Sequence, residues 1–165
     1  MKEDEVYVGT KIWFKNNGFI PLAGQPPNGC DNIPTVEIKS SSNHKKGSKG
    51  SFKPDLIFAN TNYLIIVECK PIDDKKDELK LLEVINFQER QRLLFDELNQ
   101  RGIFKRKKLD MYFNSLNIFS TKLRICLAHA GRPRIMSKVI TLSIKSQDGD
   151  GLLTNAKDAS YSIEL

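Results

Sequence analysis

Two short stretches carry residue types that can do chemistry. One is Lys53-Pro54-Asp55 running into Leu56-Ile57-Phe58, the other Ile65-Ile66-Val67-Glu68-Cys69-Lys70. Residues 55–59 and 63–70 read as strands, and Asn60-Thr61-Asn62 between them reads as a hairpin turn. Side chains alternate along a strand, so Glu68 and Lys70 share one face while Cys69 points to the other with Val67 and Ile65. A turn centred at or beside Thr61 sets Asp55 opposite Ile66, Val67 or Glu68. Directly opposed residues have Cβ atoms about 4.5–5.5 Å apart, close enough for two carboxylates to share one cation. Two acids that close repel unless neutralised. An oxygen-only pair suits Mg²⁺ or Mn²⁺, which keep several waters and add substrate phosphate oxygens. An ammonium beside them could orient or help deprotonate an attacking water, and this set of parts suits metal-assisted phosphodiester hydrolysis. The tripeptide alone is weak, since Glu37-Ile38-Lys39 and Glu78-Leu79-Lys80 share its spacing. Neither follows an aspartate strand in hairpin register, and in a helix positions i and i+2 do not share a face.

The elements that must hold these groups follow from periodicity and punctuation. Residues 3–17 read as a helix stopped by Gly18, with Val8 and Ile12 at i+3 and i+7 from Glu5. Gln25-Pro26-Pro27-Asn28-Gly29 is a turn or loop, residues 33–40 alternate as a strand, and 40–50 form a polar glycine-containing loop. Residues 74–100 are the clearest helix, with Asp73 or Asp74 as N-cap and an apolar stripe of Val84, Phe87, Leu94 and Leu98. Gln91 sits on that stripe. Residues 123–130 and 139–144 read as strands, and Asp148-Gly149-Asp150-Gly151 as a turn. The order αβββαβ implies an α/β fold with a mixed central sheet flanked by helices, and 165 residues without a linker or repeat imply a single domain over 1–165, or a piece of a longer protein.

Charge is clustered. Residues 39–53, 101–108 and 122–138 hold five Lys/Arg each and no Asp or Glu, +15 between them, which leaves the rest of the chain at −9 and the whole at +6. Such clusters are a phosphate-backbone footprint if the fold brings them to one face, and solvated loops if it does not. The odd, widely spaced Cys30, Cys69 and Cys126 fit neither a disulfide framework nor a CxxC site, and two histidines, His44 and His129, exclude a histidine-rich zinc centre. The longest apolar run, Leu64 to Val67, cannot span a bilayer, and Met1-Lys2-Glu3-Asp4-Glu5 is too acidic for a signal peptide. The expectation is a cytoplasmic protein with no membrane partner. His44 reads as a surface residue or phosphate contact, His129 as structural with a substrate contact open, and Cys69, Trp13 and the nine phenylalanines as core.

Pro54-Asp55 and Glu68-Cys69-Lys70, with a helix before them, a hairpin between and a helix after, resemble the PD-(D/E)xK nuclease superfamily, the restriction-endonuclease-like fold. The resemblance covers roughly residues 3–130. It implies an Mg²⁺-dependent DNA endonuclease, with Mn²⁺ able to substitute. Asp55, Glu68 and the Cys69 backbone carbonyl would be metal ligands, and Lys70 the catalytic base or positioning cation. Many members add a first-helix glutamate, for which Glu5 matches best, with Glu3 and Glu37 as alternatives. Some place a glutamine on the second helix at the site, here Gln91, with Gln88 second. Lys39, Lys45, Lys46, Lys49, Lys53, Arg132 and Arg134 would contact nucleic acid. Restriction of foreign DNA is the first expectation. Junction or transposon-end cleavage, RNA cleavage and a non-catalytic nucleic-acid-binding subunit are the alternatives. A homodimer or a separate recognition subunit would supply what a short chain lacks.

Overall fold

Among the described residues the named strands join one six-stranded sheet, and helices cover both of its faces. This computed structural model describes residues 1–29, 31–39, 51–72 and 75–165. The elements are α1 (Glu3–Asn16), β1 (Ile20–Gly24), β2 (Leu56–Ala59), β3 (Leu64–Lys70), α2 (Lys75–Asn86), α3 (Gln88–Gln100), α4 (Ile103–Arg106), α5 (Leu116–Lys122), β4 (Leu123–His129), β5 (Ile140–Ile144) and β6 (Gly151–Thr154). Strands lie in sequence order. β1, β2 and β3 are antiparallel, β3–β4 and β4–β5 parallel, and β5–β6 antiparallel. The fold is therefore α/β with a mixed open sheet.

β3 lies at the centre, buried on both sides, which is why it reads as a continuous apolar run until Glu68. Ile65, Val67 and Cys69 join the core under α1, while Leu64 and Ile66 join the core under α2 and α3. α1 buries Val6, Tyr7, Thr10, Trp13 and Phe14, one helical stripe. The stripe is not the one the Val8 and Ile12 spacing marked, and Val8 is exposed. α1 ends in a left-handed Gly18, φ +82°, with Gly18 N–H donating to the Lys15 carbonyl and Phe19 N–H to that of Phe14. Those two bonds are a Schellman cap, sealed by Phe19 packing edge-on to Phe14 with ring centres 5.3 Å apart.

Two expectations are corrected. The first strand is Ile20–Gly24, not residues 33–40, where the described residues form no named strand and Ile38 makes an isolated bridge to Phe52. β1 hides in a proline- and glycine-containing segment because it is an edge strand, where a missing Pro21 N–H costs no ladder bond. The helix placed over 74–100 is two helices broken at Phe87, whose backbone is extended (φ −115°, ψ 110°) and whose side chain is exposed. A straight 27-residue helix would run about 40 Å, well past a seven-residue strand of about 23 Å. The break folds both apolar stripes, Leu81 and Val84 with Leu94 and Leu98, onto one core. The proposed N-caps Asp73 and Asp74 lie outside the described residues. No helix among those residues is long and apolar enough to cross a membrane.

Candidate active site

The hairpin turn fixes the register. Asn60 Oδ1 accepts the N–H groups of Asn62 and Tyr63 at 2.9 and 2.8 Å, and Asn60 N–H donates to the Tyr63 carbonyl at 3.0 Å. The ladder pairs Ala59 with Leu64 and Leu56 with Val67, and one further step sets Asp55 opposite Glu68. Of the three partners open at the sequence level, this one puts the two carboxylates closest. Glu68 Oε1 accepts the Asp55 N–H at 3.4 Å, and Asp55 Oδ2 accepts the Cys69 N–H at 2.7 Å. Each acid is thus held by backbone of the other's strand.

Burial sets the electrostatics. Glu68 is 3% exposed. Desolvation, then the Asp55 charge, push Glu68 up to about 8, while desolvation raises Asp55 to about 6 against the Cys69 N–H and the Lys70 charge. The Lys70 ammonium donates to Glu3 Oε1 at 2.8 Å. Its own burial favours the neutral amine, but Glu3 and Asp55 outweigh that and keep Lys70 more firmly protonated than an ordinary lysine. Cys69 turns its thiol into the α1-side core, and burial raises it well above the usual thiol range.

Sequence reasoning missed a second carboxylate–lysine pair. Asp77, in the first turn of α2 and 3% exposed, accepts from Lys80 Nζ at 2.8 Å. Its charge raises both Asp55 and Glu68, and that of Lys80 lowers Glu68. The signal was Asp77-x-x-Lys80, one helical step apart directly after the Glu68–Lys70 strand. Beside Glu68 a cavity of about 290 Å³ is lined by Lys53, Lys80, Glu83 and Arg90. A larger one, about 440 Å³, lies beside α1, where the Tyr7 hydroxyl and the Lys11 ammonium both donate to the Asp31 carboxylate.

The remaining predicted residues divide. Glu5 is not at the carboxylate pair, since its carboxylate accepts the Lys2 N–H at 2.7 Å and caps α1. Glu3, the alternative, is the first-helix acid that reaches Lys70. Gln91 donates from Nε2 to the Ile85 carbonyl at 2.9 Å, filling an acceptor freed by the α2–α3 break. Gln91→Ala is therefore expected to cost about 1 kcal/mol of stability by chemical denaturation and to leave any activity unchanged. A large activity loss at intact stability would return Gln91 to the site. Gln88 opens α3 and is exposed.

Lys53 reaches the smaller cavity, while Lys39, Arg132 and Arg134 are exposed. Lys45, Lys46, Lys49 and His44 lie outside the described residues. Part of the basic charge is tied to backbone carbonyls. Arg101 donates to the Thr35 carbonyl, Arg106 to that of Arg101, Lys122 to those of Thr61 and Tyr112, and Arg124 to that of Ser162.

The groups that could hold a hard divalent cation are the Asp55 and Glu68 carboxylates and the Cys69 carbonyl. Among the described residues no group of three or more His, Cys, Asp or Glu side chains is placed to hold a metal ion. Compared with models of known families, with curated proteins and with solved structures, the chain matches none.

Proposed function

We propose that Asp55, Glu68 and Lys70 form the catalytic centre of a metal-dependent endonuclease acting on DNA, built on the restriction-endonuclease-like plan. The observation that carries this reading is the register itself. One step beyond the Leu56–Val67 pair, Asp55 at the entry to β2 faces Glu68 on β3, which is 3% exposed, with a lysine two residues on. A structural ion pair would not need a buried acid facing a second, half-buried one, and that arrangement is costly without a cation.

The donor set fits Mg²⁺ or Mn²⁺, which take one or two carboxylates and complete their shell with water and phosphate oxygens. When bound, such an ion would lower the pKa of a coordinated water and offset charge on the phosphate. The chain's own residues do the rest. The Cys69 N–H orients Asp55, and the Asp55 N–H orients Glu68. Lys70 is held as an ammonium by Glu3, which favours positioning of water and phosphate over proton abstraction. Lys53, Lys80 and Arg90 beside Glu68 offer cations to the flanking phosphates.

The test is supercoiled plasmid incubated with purified protein in Mg²⁺ and in EDTA, beside Lys70→Ala. Nicked or linear plasmid is expected in Mg²⁺ alone, and the variant should be slower by about 10²–10³-fold with little change in the Mg²⁺ concentration needed. Wild-type protein that leaves both plasmid and a parallel RNA substrate intact overturns the reading and favours a binding role.

A further inference from the structure

His129 ends β4 next to the candidate site. The parallel register pairs Glu68 with Leu127 and Lys70 with His129. Residues paired in register share a face, and Leu127 belongs to the core under α2, so the His129 ring lies on the Glu68 and Lys70 side of the sheet. It is 1% exposed. Its orientation is held from two sides. Nδ1 accepts the Gly131 N–H at 3.0 Å, and the Gly131 carbonyl accepts the hydroxyl of Ser143, the residue paired with His129 on β5, at 2.5 Å. A Cβ at position 131 would stand 3.0 Å from Nδ1, so the glycine lets the loop close on the ring.

With Nδ1 accepting, a neutral ring carries its proton on Nε2. Burial favours that neutral form. Nε2 is itself buried and has no hydrogen-bond partner among the described residues. Buried polar groups are nearly always paired, and an unpaired donor weakens the fold that keeps it. Here the donor sits one strand from Lys70, and the loop that fixes it runs on to Arg132. Arg132, Lys145 and Ser143 line a cavity of about 580 Å³ at the same end of β4 and β5.

We propose that the His129 Nε2–H is a substrate contact, donating to a non-bridging phosphate oxygen of the nucleic-acid strand beside Lys70; this rests on the nuclease reading above. A neutral donor suits that place. An anionic oxygen accepts from the Lys70 ammonium and from Nε2–H together, while the ring adds no charge to compete with a cation between Asp55 and Glu68. Because Nε2 is closed to solvent, the contact forms as the strand displaces what covers it. Its signature is therefore a change at His129 on binding.

The experiment uses the full chain, labelled with ¹⁵N at histidine, and a short DNA duplex in Ca²⁺, with binding followed separately by fluorescence anisotropy. The His129 Nε2–H resonance should shift downfield and resist exchange as the duplex saturates. His129→Phe should lower kcat/KM about 10- to 100-fold, the worth of one hydrogen bond to a charged oxygen, with a Tm no lower than wild type. His129→Gln, which restores an N–H donor, should recover part of the loss. A bound duplex with an unmoved resonance, or His129→Phe cutting at the wild-type rate, overturns the proposal and leaves the ring as core packing. Wild-type protein that neither binds nor cuts any duplex overturns the nuclease reading itself, and the contact falls with it.

Discussion

Asp55→Ala and Glu68→Ala are each expected to lower Mg²⁺-dependent cleavage by at least about 10³-fold, because a bound ion supplies several kcal/mol of transition-state stabilisation and each 1.36 kcal/mol is a factor of ten. Duplex binding in Ca²⁺ should largely survive, since affinity for nucleic acid comes mainly from cations on phosphates rather than from the acids. The two variants should fail alike, because Glu68 accepts the Asp55 N–H and Asp55 accepts the Cys69 N–H, so each acid is held by backbone beside the other. Gel assays of plasmid cleavage beside anisotropy of a labelled duplex separate the two effects. Undiminished cutting in either variant removes that residue from the active site, and loss of binding together with cutting would point to misfolding.

The second large effect is on stability. Folding raises Glu68 to about 8 and Asp55 to about 6, from ordinary values of 4.5 and 3.8. The causes are burial first, then the facing acids, Asp77 among them, against the lysines Lys70 and Lys80. An acid whose pKa is raised by folding contributes stability that is fully present below its unfolded pKa and lost as pH rises through its folded pKa. Without divalent ions the Tm should therefore fall between about pH 5 and pH 8. Glu68→Gln, which removes the more strongly shifted charge, should flatten that fall and raise the Tm at pH 8. Mg²⁺ at a hundred times its Kd adds about 2.7 kcal/mol, or roughly 5–10 °C for a chain of this size. That gain should be larger at pH 8 than at pH 5 and absent in Glu68→Gln. Differential scanning calorimetry in EDTA and in Mg²⁺ reads all of this without any cleavage assay. A wild-type Tm at pH 8 that is indifferent to both Mg²⁺ and Mn²⁺ would remove the cation from the proposal.

How far the chain could be read in advance depended on how local each decision is. The β2–β3 hairpin was legible because a three-residue turn carries strand register across a few bonds, leaving only a choice among three partners for Asp55. α1 and its Gly18 stop were legible for the same reason, since a helix and its cap are settled within two turns. β1 was not, because Ile20–Gly24 becomes a strand through pairing with β2, more than thirty residues further on. Nor was the break at Phe87, which answers to the length of the sheet beneath it rather than to any breaker residue.

The site shows the same division. From sequence alone, Glu68 and Lys70 share one face at the end of a central hairpin, and Asp55 lies at the same end opposite one of three residues, because side-chain alternation and a short turn confine them there. Which acid then meets Lys70 is a tertiary decision. Glu5 and Glu3 lie half a turn apart on α1, and the angle at which Val6, Tyr7, Trp13 and Phe14 seat that helix on the sheet aims Glu3 across 67 residues of chain at Lys70. The same placement leaves Glu5 to cap the helix. Asp77 and His129 joined the neighbourhood only when α2 and β4 packed beside β3. Helical phase and strand order are set by the packing of whole faces, and no short window of sequence contains a face.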